Sequence, residues 1–149
     1  DPVTNEKYVP HVVEYSIGAD RLTLAVLCEF FEEQQLEGGD SRIVYHFHPA
    51  IAPYKVAILP LQKNLSEKAT EVYRSLAKKF MCDFDEAGSI GKRYRRQDAI
   101  GTPYCITVDS QTMEDNTVTI RERDTMQQER ISIDNLFTYI HNNIKPLNL

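Results

Sequence analysis

The stretch Lys55–Phe80, KVAILPLQKNLSEKATEVYRSLAKKF, decides the fold class. It begins with a short, continuous apolar run, which is typical of a strand that is covered on both faces of its sheet. Apolar residues then recur at helical spacing, at Leu65, Ala69, Val72, Tyr73, Leu76, Ala77 and Phe80. This spacing predicts an amphipathic helix. A buried strand followed directly by such a helix predicts an α/β domain.

Strand and helix patterns continue to alternate after residue 80. CDFDE (82–86) predicts a weak strand, PYCITV (103–108) a second buried strand, and NTVTIRER (116–123) a strand with two different faces. Apolar residues at helical spacing close the chain, at Ile133, Leu136, Phe137, Ile140 and Ile144. With a helix between the second and third strands, this order predicts a three-layer α/β domain with a mixed sheet flanked by helices.

The first part of the chain follows a different pattern. Val9–Tyr15 is rich in β-branched and aromatic residues, which predicts a strand. Small residues at a turn follow, and apolar residues at helical spacing from Leu22 to Phe30 predict a helix. RIVYHF (42–47) alternates again and predicts another strand.

Charge separates the same two parts of the chain. The prolines in HPAIAP mark residues 48–54 as the boundary between two units, 1–50 and 51–149. The first unit holds three Lys or Arg against nine Asp or Glu, a formal charge of −6; the second holds fourteen against thirteen, a charge of +1. We therefore expect the two units to have different roles.

Composition excludes several classes of protein. The three cysteines show no CxxC spacing, which argues against a disulfide framework or a zinc site and indicates a reducing compartment. We expect a cytoplasmic protein that does not contact a membrane, because no apolar run approaches the roughly 20 residues that a bilayer requires. His46 and His48 share a strand face, but no third ligand is placed beside them, so we predict no metal site.

A basic cluster lies in SIGKRYRRQDAIGTPY (89–104). Four basic side chains occupy five consecutive positions, namely Lys92, Arg93, Arg95 and Arg96. On a helix they would share one arc of about 160°, opposite Ile90 and Tyr94, which we expect to face the core. Like charges four residues apart repel by a few tenths of a kcal/mol, which favours a binding role. An ordinary solvated helix surface is the alternative.

The strand after this cluster carries a second set of polar groups. Thr117, Thr119, Arg121 and Arg123 share one face of it, because side chains alternate along a strand. The basic helix and this strand could converge on one groove. Guanidinium groups bind phosphates and base edges, threonine hydroxyls add short contacts, and unpaired bases are open to both. The residues thus favour a surface for single-stranded RNA.

Two stretches, SIGKRYRRQDAIGTPYCITVD (89–109) and TVTIRERDTMQQERI (117–131), together resemble the anticodon-binding domain of the dimeric, class II glycyl-tRNA synthetases. The matching residues of SIGKRYRRQDAIGTPYCITVD and its preceding glycine are Gly88, Ser89, Ile90, Gly91, Tyr94, Arg96, Asp98 and Gly101. Those of TVTIRERDTMQQERI are Val118, Thr119, Arg121, Arg123, Asp124, Thr125 and Met126. APYKVAILPL is similar to the first strand of that domain, and HVVEYSIGADR is similar to motif 3 of the catalytic domain.

This resemblance spans the chain from about Pro10 to Ile140 and carries expectations for its fold and partners. It implies a mixed sheet of about five strands in the second unit. It also implies that residues 1–50 are the end of an antiparallel class II catalytic domain. The expected partner is tRNA-Gly. The parent enzyme would be a homodimer that uses glycine, ATP and Mg²⁺, with no cofactor tightly bound to this fragment.

Site residues are implied by the same resemblance. Arg21 would contact ATP at the start of a helix, where a guanidinium and the helix N-terminus both favour phosphate. Glu14 and Ser16 would bind glycine, although Tyr15 stands where the family usually has proline. The anticodon contacts would come from Lys92, Arg93, Arg95, Arg96, Asp98, Thr119, Arg121 and Arg123. Because motif 2 is absent from this chain, we expect the fragment alone to be catalytically inactive.

Two other functions are compatible with parts of the pattern. Anticodon-domain folds also occur in accessory proteins without catalytic activity, such as the processivity subunit of mitochondrial DNA polymerase. Glu14, Ser16 and Arg21 argue against that assignment, because a noncatalytic relative has no chemical reason to keep them. An α/β domain that binds a small ligand at its strand ends is a further alternative, but the chain lacks a glycine-rich phosphate loop.

Overall fold

The computed structural model describes residues 1–36 and 38–145, and its main feature is a five-stranded sheet. The helices are α1 (Ala19–Phe30), α2 (Ser66–Leu76), α3 (Ile90–Ile100), α4 (Thr112–Asp115) and α5 (Leu136–Asn143). The strands are β1 (Phe31–Gln35), β2 (Ser41–Tyr45), β3 (Val56–Pro60), β4 (Cys82–Phe84), β5 (Tyr104–Val108), β6 (Thr117–Glu122) and β7 (Gln128–Ser132).

The large sheet is mixed, with the strand order β4-β3-β5-β6-β7. β3 lies parallel to β4 and β5, whereas β6 and β7 run antiparallel to their neighbours. The parallel strands are joined through α2 and α3, as parallel pairs require a crossover connection. The predicted mixed sheet of about five strands is confirmed. The sequence pattern did not indicate β7, which is a largely exposed edge strand.

Helices cover both faces of this sheet, which confirms the three-layer arrangement. On one face, α2 and α5 pack over a core that includes Ile58 and Ile120. On the other face, α3 packs through Ile90 and Tyr94 on Ala57 and Leu59. All five residues of β3 are buried, because alternate side chains enter the two opposite layers.

Residues before the large sheet form a helix and a hairpin. β1 and β2 pair antiparallel, with Phe31 opposite Tyr45, and α1 has no buried residue. The strand predicted over Val9–Tyr15 is wrong: this segment is exposed and has no regular structure. A strand persists only where a neighbour satisfies its backbone hydrogen bonds, and no other described segment pairs with it.

The structure leaves some sequence predictions open. The boundary at residues 48–54 stays a prediction, and the second predicted unit includes residues 146–149, which lie outside the described part of the chain. Among the helices of residues 1–36 and 38–145, none has the length and apolar character needed to span a bilayer.

Candidate nucleic-acid interface

The basic helix α3 packs on the face of the sheet from which the Arg121 side chain of β6 projects. The Tyr94 hydroxyl is 2.6 Å from the Thr107 hydroxyl, and the Arg121 guanidinium lies 4.8 Å from the centre of the Tyr94 ring. Thr119 and Arg121 are paired with Thr107 and Cys105 of the adjacent strand β5. The two elements are thus in contact, but through Tyr94, which lies opposite the predicted basic face of α3. The predicted groove between that basic face and β6 is not formed by these contacts.

Arg121 and Asp98 nevertheless form a buried ion pair with each other. Arg121 Nη1 donates to Asp98 Oδ1 at 2.8 Å, and Nη2 donates to Oδ2 at 3.1 Å. Asp98 Oδ2 also accepts from Arg42 Nη1 at 3.1 Å. The side chains of Asp98 and Arg121 are only 1% and 7% exposed. Because this burial leaves their polar groups facing protein, the geometry assigns both residues a structural role and does not support the expected RNA contacts.

Arg123 is buried in a similar way at the end of β6. It donates to the carbonyl oxygens of Gly101 and Phe47 at 2.8 and 2.9 Å, and Nε donates to Asp124 Oδ1 at 2.8 Å. Burial opposes ionisation of Asp124, but Arg123 and His46 outweigh this effect and hold the pKa of that carboxyl below its usual value. Arg123 therefore connects three segments of the chain and does not face solvent.

Arg93 is buried, although the sequence predicted that it lies on an exposed basic face of α3. Its guanidinium is buried, and it donates to the carbonyl oxygens of Pro60 and, at 2.7 Å, Gly88. On the helix, Arg93 lies at the edge of the arc that faces the sheet, so it turns inward where the loop before α3 meets β3. The prediction that all four basic residues share a solvent face is wrong for this residue.

Three basic residues of α3 remain accessible. Lys92 is exposed, and the side chains of Arg95 and Arg96 are 36% and 46% exposed. Arg95 pairs with Asp40, whereas Arg96 donates to both oxygens of Asp85 at 2.8 and 2.9 Å. They line a cleft of about 750 Å³ between α3 and β2. The pair of Arg95 with Asp40 is exposed, and such pairs contribute about 0–1 kcal/mol, so a phosphate can displace Asp40. Asp85 is only 12% exposed and stays with Arg96.

Arg130 is a further exposed cation that the sequence did not indicate. It lies on β7 directly opposite Thr119, whose side chain is half-buried. Its Nε donates to Thr117 Oγ1 at 2.9 Å, and its Nη1 donates to Asp109 Oδ2 at 2.6 Å. The hydrogen bond from Arg130 holds the pKa of Asp109 below its usual value. Period two in QERIS places Arg130 on one face of a strand, but only the pairing with β6 shows which face.

The residues expected at the catalytic end are exposed and only partly grouped. Ser16 and Arg21 line a shallow depression at the start of α1, but Glu14 is not part of it. All three side chains are exposed. Their roles toward glycine and ATP stay predictions.

The two histidines of the candidate metal pair point to separate partners. His46 bridges two carboxylates, with Nε2 2.7 Å from Glu32 Oε2 and Nδ1 2.6 Å from Asp124 Oδ1. His48 Nδ1 accepts from the Ala50 amide at 3.2 Å. Within the part of the chain that the structure describes, no group of three His, Cys, Asp or Glu side chains could hold a metal ion.

Comparisons with known proteins agree with this fold. The chain is 65% identical over 140 residues to a glycine–tRNA ligase of Clostridium beijerinckii, covering 94% of this chain and 30% of that relative. It is 62% identical over 145 residues to the same enzyme of Clostridium acetobutylicum, covering 97% of this chain and 31% of the relative. The chain thus spans about a third of the length of these relatives.

Two solved structures share this fold over about two thirds of the chain. The RNA binding domain of threonyl-tRNA synthetase from Cryptosporidium parvum Iowa II superposes with a TM-score of 0.63 at 25% identity, over 68% of this chain and 26% of that one. Histidyl-tRNA synthetase from Nostoc gives a TM-score of 0.59 at 16% identity, over 62% and 23%. The family described as Anticodon binding domain matches residues 55–143, which hold all five strands of the large sheet, and the chain therefore belongs to that family.

Proposed function

We propose that this chain is the anticodon-binding end of a glycine–tRNA ligase and that it binds the anticodon arm of tRNA-Gly. The observation that carries the proposal is the match of residues 55–143 to the anticodon-binding family within a chain that is 65% identical to a glycine–tRNA ligase. The parent enzyme would activate glycine with ATP and Mg²⁺ in the cytoplasm, as a homodimer, and transfer it to tRNA-Gly.

The RNA would contact the accessible cations on the α3 side of the sheet. These are Lys92, Arg95 and Arg96 on α3 and Arg130 on β7, whose Nη1 lies 3.4 Å from the Thr119 hydroxyl oxygen. We expect that hydroxyl to contact the RNA as well. Asp40, the carboxylate partner of Arg95, is 70% exposed, so exchange of that carboxylate for a phosphate leaves no buried charge behind. Asp85 and Asp109 are only 12% and 21% exposed, so Arg96 and Arg130 would bind a phosphate while they keep these partners. Arg93, Arg121 and Arg123 are buried and donate to carbonyl oxygens or to Asp98, so they do not present a guanidinium to a phosphate.

The parent's chemistry would use the exposed residues near α1. Arg21 would contact ATP, and Glu14 and Ser16 would contact glycine. In this chain the three side chains are exposed and not held by packing. Catalysis by charge stabilisation requires donors that are fixed in advance. We therefore expect that the chain alone forms no glycyl-adenylate, which glycine-dependent exchange of pyrophosphate with ATP would measure. Exchange above background would contradict this expectation.

Binding of tRNA-Gly and of an anticodon-swapped tRNA-Gly, each at two salt concentrations, tests the proposal. We expect tighter binding of the wild-type RNA and a steep fall with salt, because each phosphate contact releases counterions. The double variant Lys92→Ala with Arg96→Ala should weaken binding of both RNAs and reduce the salt slope. Its matched control is Lys78→Ala with Lys79→Ala, which removes the same charge from exposed positions at the end of α2.

Two outcomes would overturn the proposal. One is equal affinity for the two tRNAs, which would show that the anticodon is not read. The other is a primer–template DNA that binds as tightly as tRNA-Gly, which would favour the accessory DNA-binding function. Equal loss of affinity in the two double variants would refute the assignment of the RNA surface to α3.

A further inference from the structure

A buried network of charged side chains connects the β1–β2 hairpin to the anticodon-binding sheet. Its members are Arg42 on β2, Asp98 on α3 and Arg121 on β6, and Arg42 also donates to the main-chain carbonyl of Arg123 just after β6. We propose that Arg42 is a positioning residue, which fixes the hairpin in one orientation on the sheet through Asp98. The proposal rests on the proposed function only for its consequence in tRNA use.

Arg42 makes contacts in two directions. Within the hairpin, its Nε donates to Gln34 Oε1 at 2.7 Å, and Gln34 is its cross-strand partner. Across the interface, its Nη1 donates to Asp98 Oδ2 at 3.1 Å and to the Arg123 carbonyl oxygen at 3.0 Å. Arg42 is 3% exposed. One guanidinium therefore joins the hairpin both to α3 and to the segment that follows β6.

Asp98 is shared between the guanidinium groups of Arg42 and Arg121. Arg42 can therefore be replaced without loss of the ion pair between Asp98 and Arg121. If Asp98 were neutralised, both Arg42 and Arg121 would be left buried without a counter-charge, which is strongly destabilising. If Arg42 loses its charge, the pair of Asp98 with Arg121 remains complete. Removal of the Arg42 guanidinium thus loosens the hairpin without leaving an unpaired charge in the sheet.

The hairpin depends on this docking for its order. A two-stranded sheet is at best marginally stable by itself in water. No residue of β1 is buried, while β2 contributes Arg42 and Val44 as its buried side chains. Beyond β2, Phe47 is also buried, and its carbonyl accepts from Arg123. The hydrogen bonds of Arg42 and of the Phe47 carbonyl thus join the hairpin region to the rest of the chain. Because hydrogen bonds require a defined geometry, they favour one orientation of the hairpin over others.

Amide hydrogen exchange on the whole chain tests the role of Arg42. Met replaces the arginine in Arg42→Met and keeps an apolar stem of similar length. We expect amides of Phe31–Gln35 and Ser41–Tyr45 to exchange about tenfold or more faster, because two buried charge-assisted hydrogen bonds are lost. Amides of Val56–Pro60 and Tyr104–Val108 should exchange at the wild-type rate.

Arg95→Met is the matched control, because Arg95 also joins α3 to the hairpin loop but through an exposed pair with Asp40. It should change hairpin exchange by less than about threefold. Arg42→Lys keeps the positive charge but lacks the planar guanidinium group. Its hairpin amides should therefore exchange more slowly than those of Arg42→Met but faster than those of the wild type. The proposal is overturned if Arg42→Met leaves hairpin exchange unchanged, if it accelerates all strands equally, or if the control behaves like it.

A second readout links the hairpin to tRNA use. In a full-length glycine–tRNA ligase that carries this segment, Arg42→Met should raise the KM for tRNA-Gly about tenfold and leave glycine-dependent pyrophosphate exchange unchanged. An unchanged KM, or an equal loss in both assays, would overturn the positioning role. If the wild-type chain fails to bind tRNA-Gly, the proposed function fails, while the exchange data on the hairpin still decide the role of Arg42.

Discussion

Replacement of Gly101 by alanine measures how closely the chain after the hairpin approaches the end of α3. Gly101 has a φ of 79° and ends the helix in the left-handed conformation. A Cβ at this position would lie 2.5 Å from Phe47 Cδ2 and 3.0 Å from the Tyr45 carbonyl oxygen. Phe47 is buried, so its ring cannot move into solvent without loss of packing.

The expected cost has two parts. A left-handed conformation costs an L-residue about 1–2 kcal/mol, and overpacking of a buried contact costs about 1–3 kcal/mol. Alanine recovers about 0.4–1 kcal/mol by restricting the unfolded chain. We therefore expect Gly101→Ala to lower the free energy of unfolding by about 1–4.5 kcal/mol. Urea unfolding followed by far-UV circular dichroism measures it.

Gly88→Ala separates the two parts. Gly88 has a φ of 75°, but its added Cβ would meet only Lys92 Cδ at 3.9 Å. This variant carries the backbone strain without the clash, and we expect a loss of about 0.5–1.5 kcal/mol. If both variants lose the same free energy to within about 0.5 kcal/mol, the close approach of Phe47 contributes nothing and the reasoning is refuted.

Two further predictions concern ionisable groups. Burial raises the pKa of the Cys82 thiol to about 11 and that of Cys105 to about 12, whereas Cys28 is exposed. A disulfide reagent at pH 8 should therefore modify one thiol in the native protein and three after denaturation, and a second fast thiol would contradict this. Because the folded pKa of Asp109 is lowered by Arg130, its stabilising contribution is complete above the unfolded value of about 3.9 and is lost as the pH falls through the folded value. Between pH 6 and pH 3, Arg130→Met should thus lose about 0.2–1 kcal/mol less stability than the wild type, and parallel pH profiles would argue against the pair.

Local patterns predicted most of the large sheet and its helices. The continuous apolar run at β3 reflects burial on both faces of the sheet, and the helical spacing through α2 reflects burial of one helix face. Both patterns can be read directly from the sequence. β7 was missed because its residues are mostly polar and exposed at an edge. The strand expected at Val9–Tyr15 failed for the opposite reason, since its composition suits a sheet but no described segment pairs with it.

The candidate site was predicted less well than the fold. Lys92 and Arg96 are exposed as expected, but Arg93 is not, although all three fall within the same helical arc. Helical spacing gives the direction in which a side chain leaves its helix. It does not show whether a carbonyl from another loop lies there to accept a hydrogen bond, as Pro60 does for Arg93.

Most strands and helices of the large sheet, the alternation of faces along β6 and the family resemblance could be predicted from the amino-acid sequence, because all of these depend on residues close together along the chain. Which arginines face solvent depends on contacts between distant segments, and these are known only from the folded structure. Asp98 pairs with Arg121 across 23 positions and with Arg42 across 56, and folding alone brings these groups together. An arginine carries the same charge whether it is buried or exposed. Its role therefore depends on whether the fold places a hydrogen-bond acceptor from a distant segment beside its guanidinium.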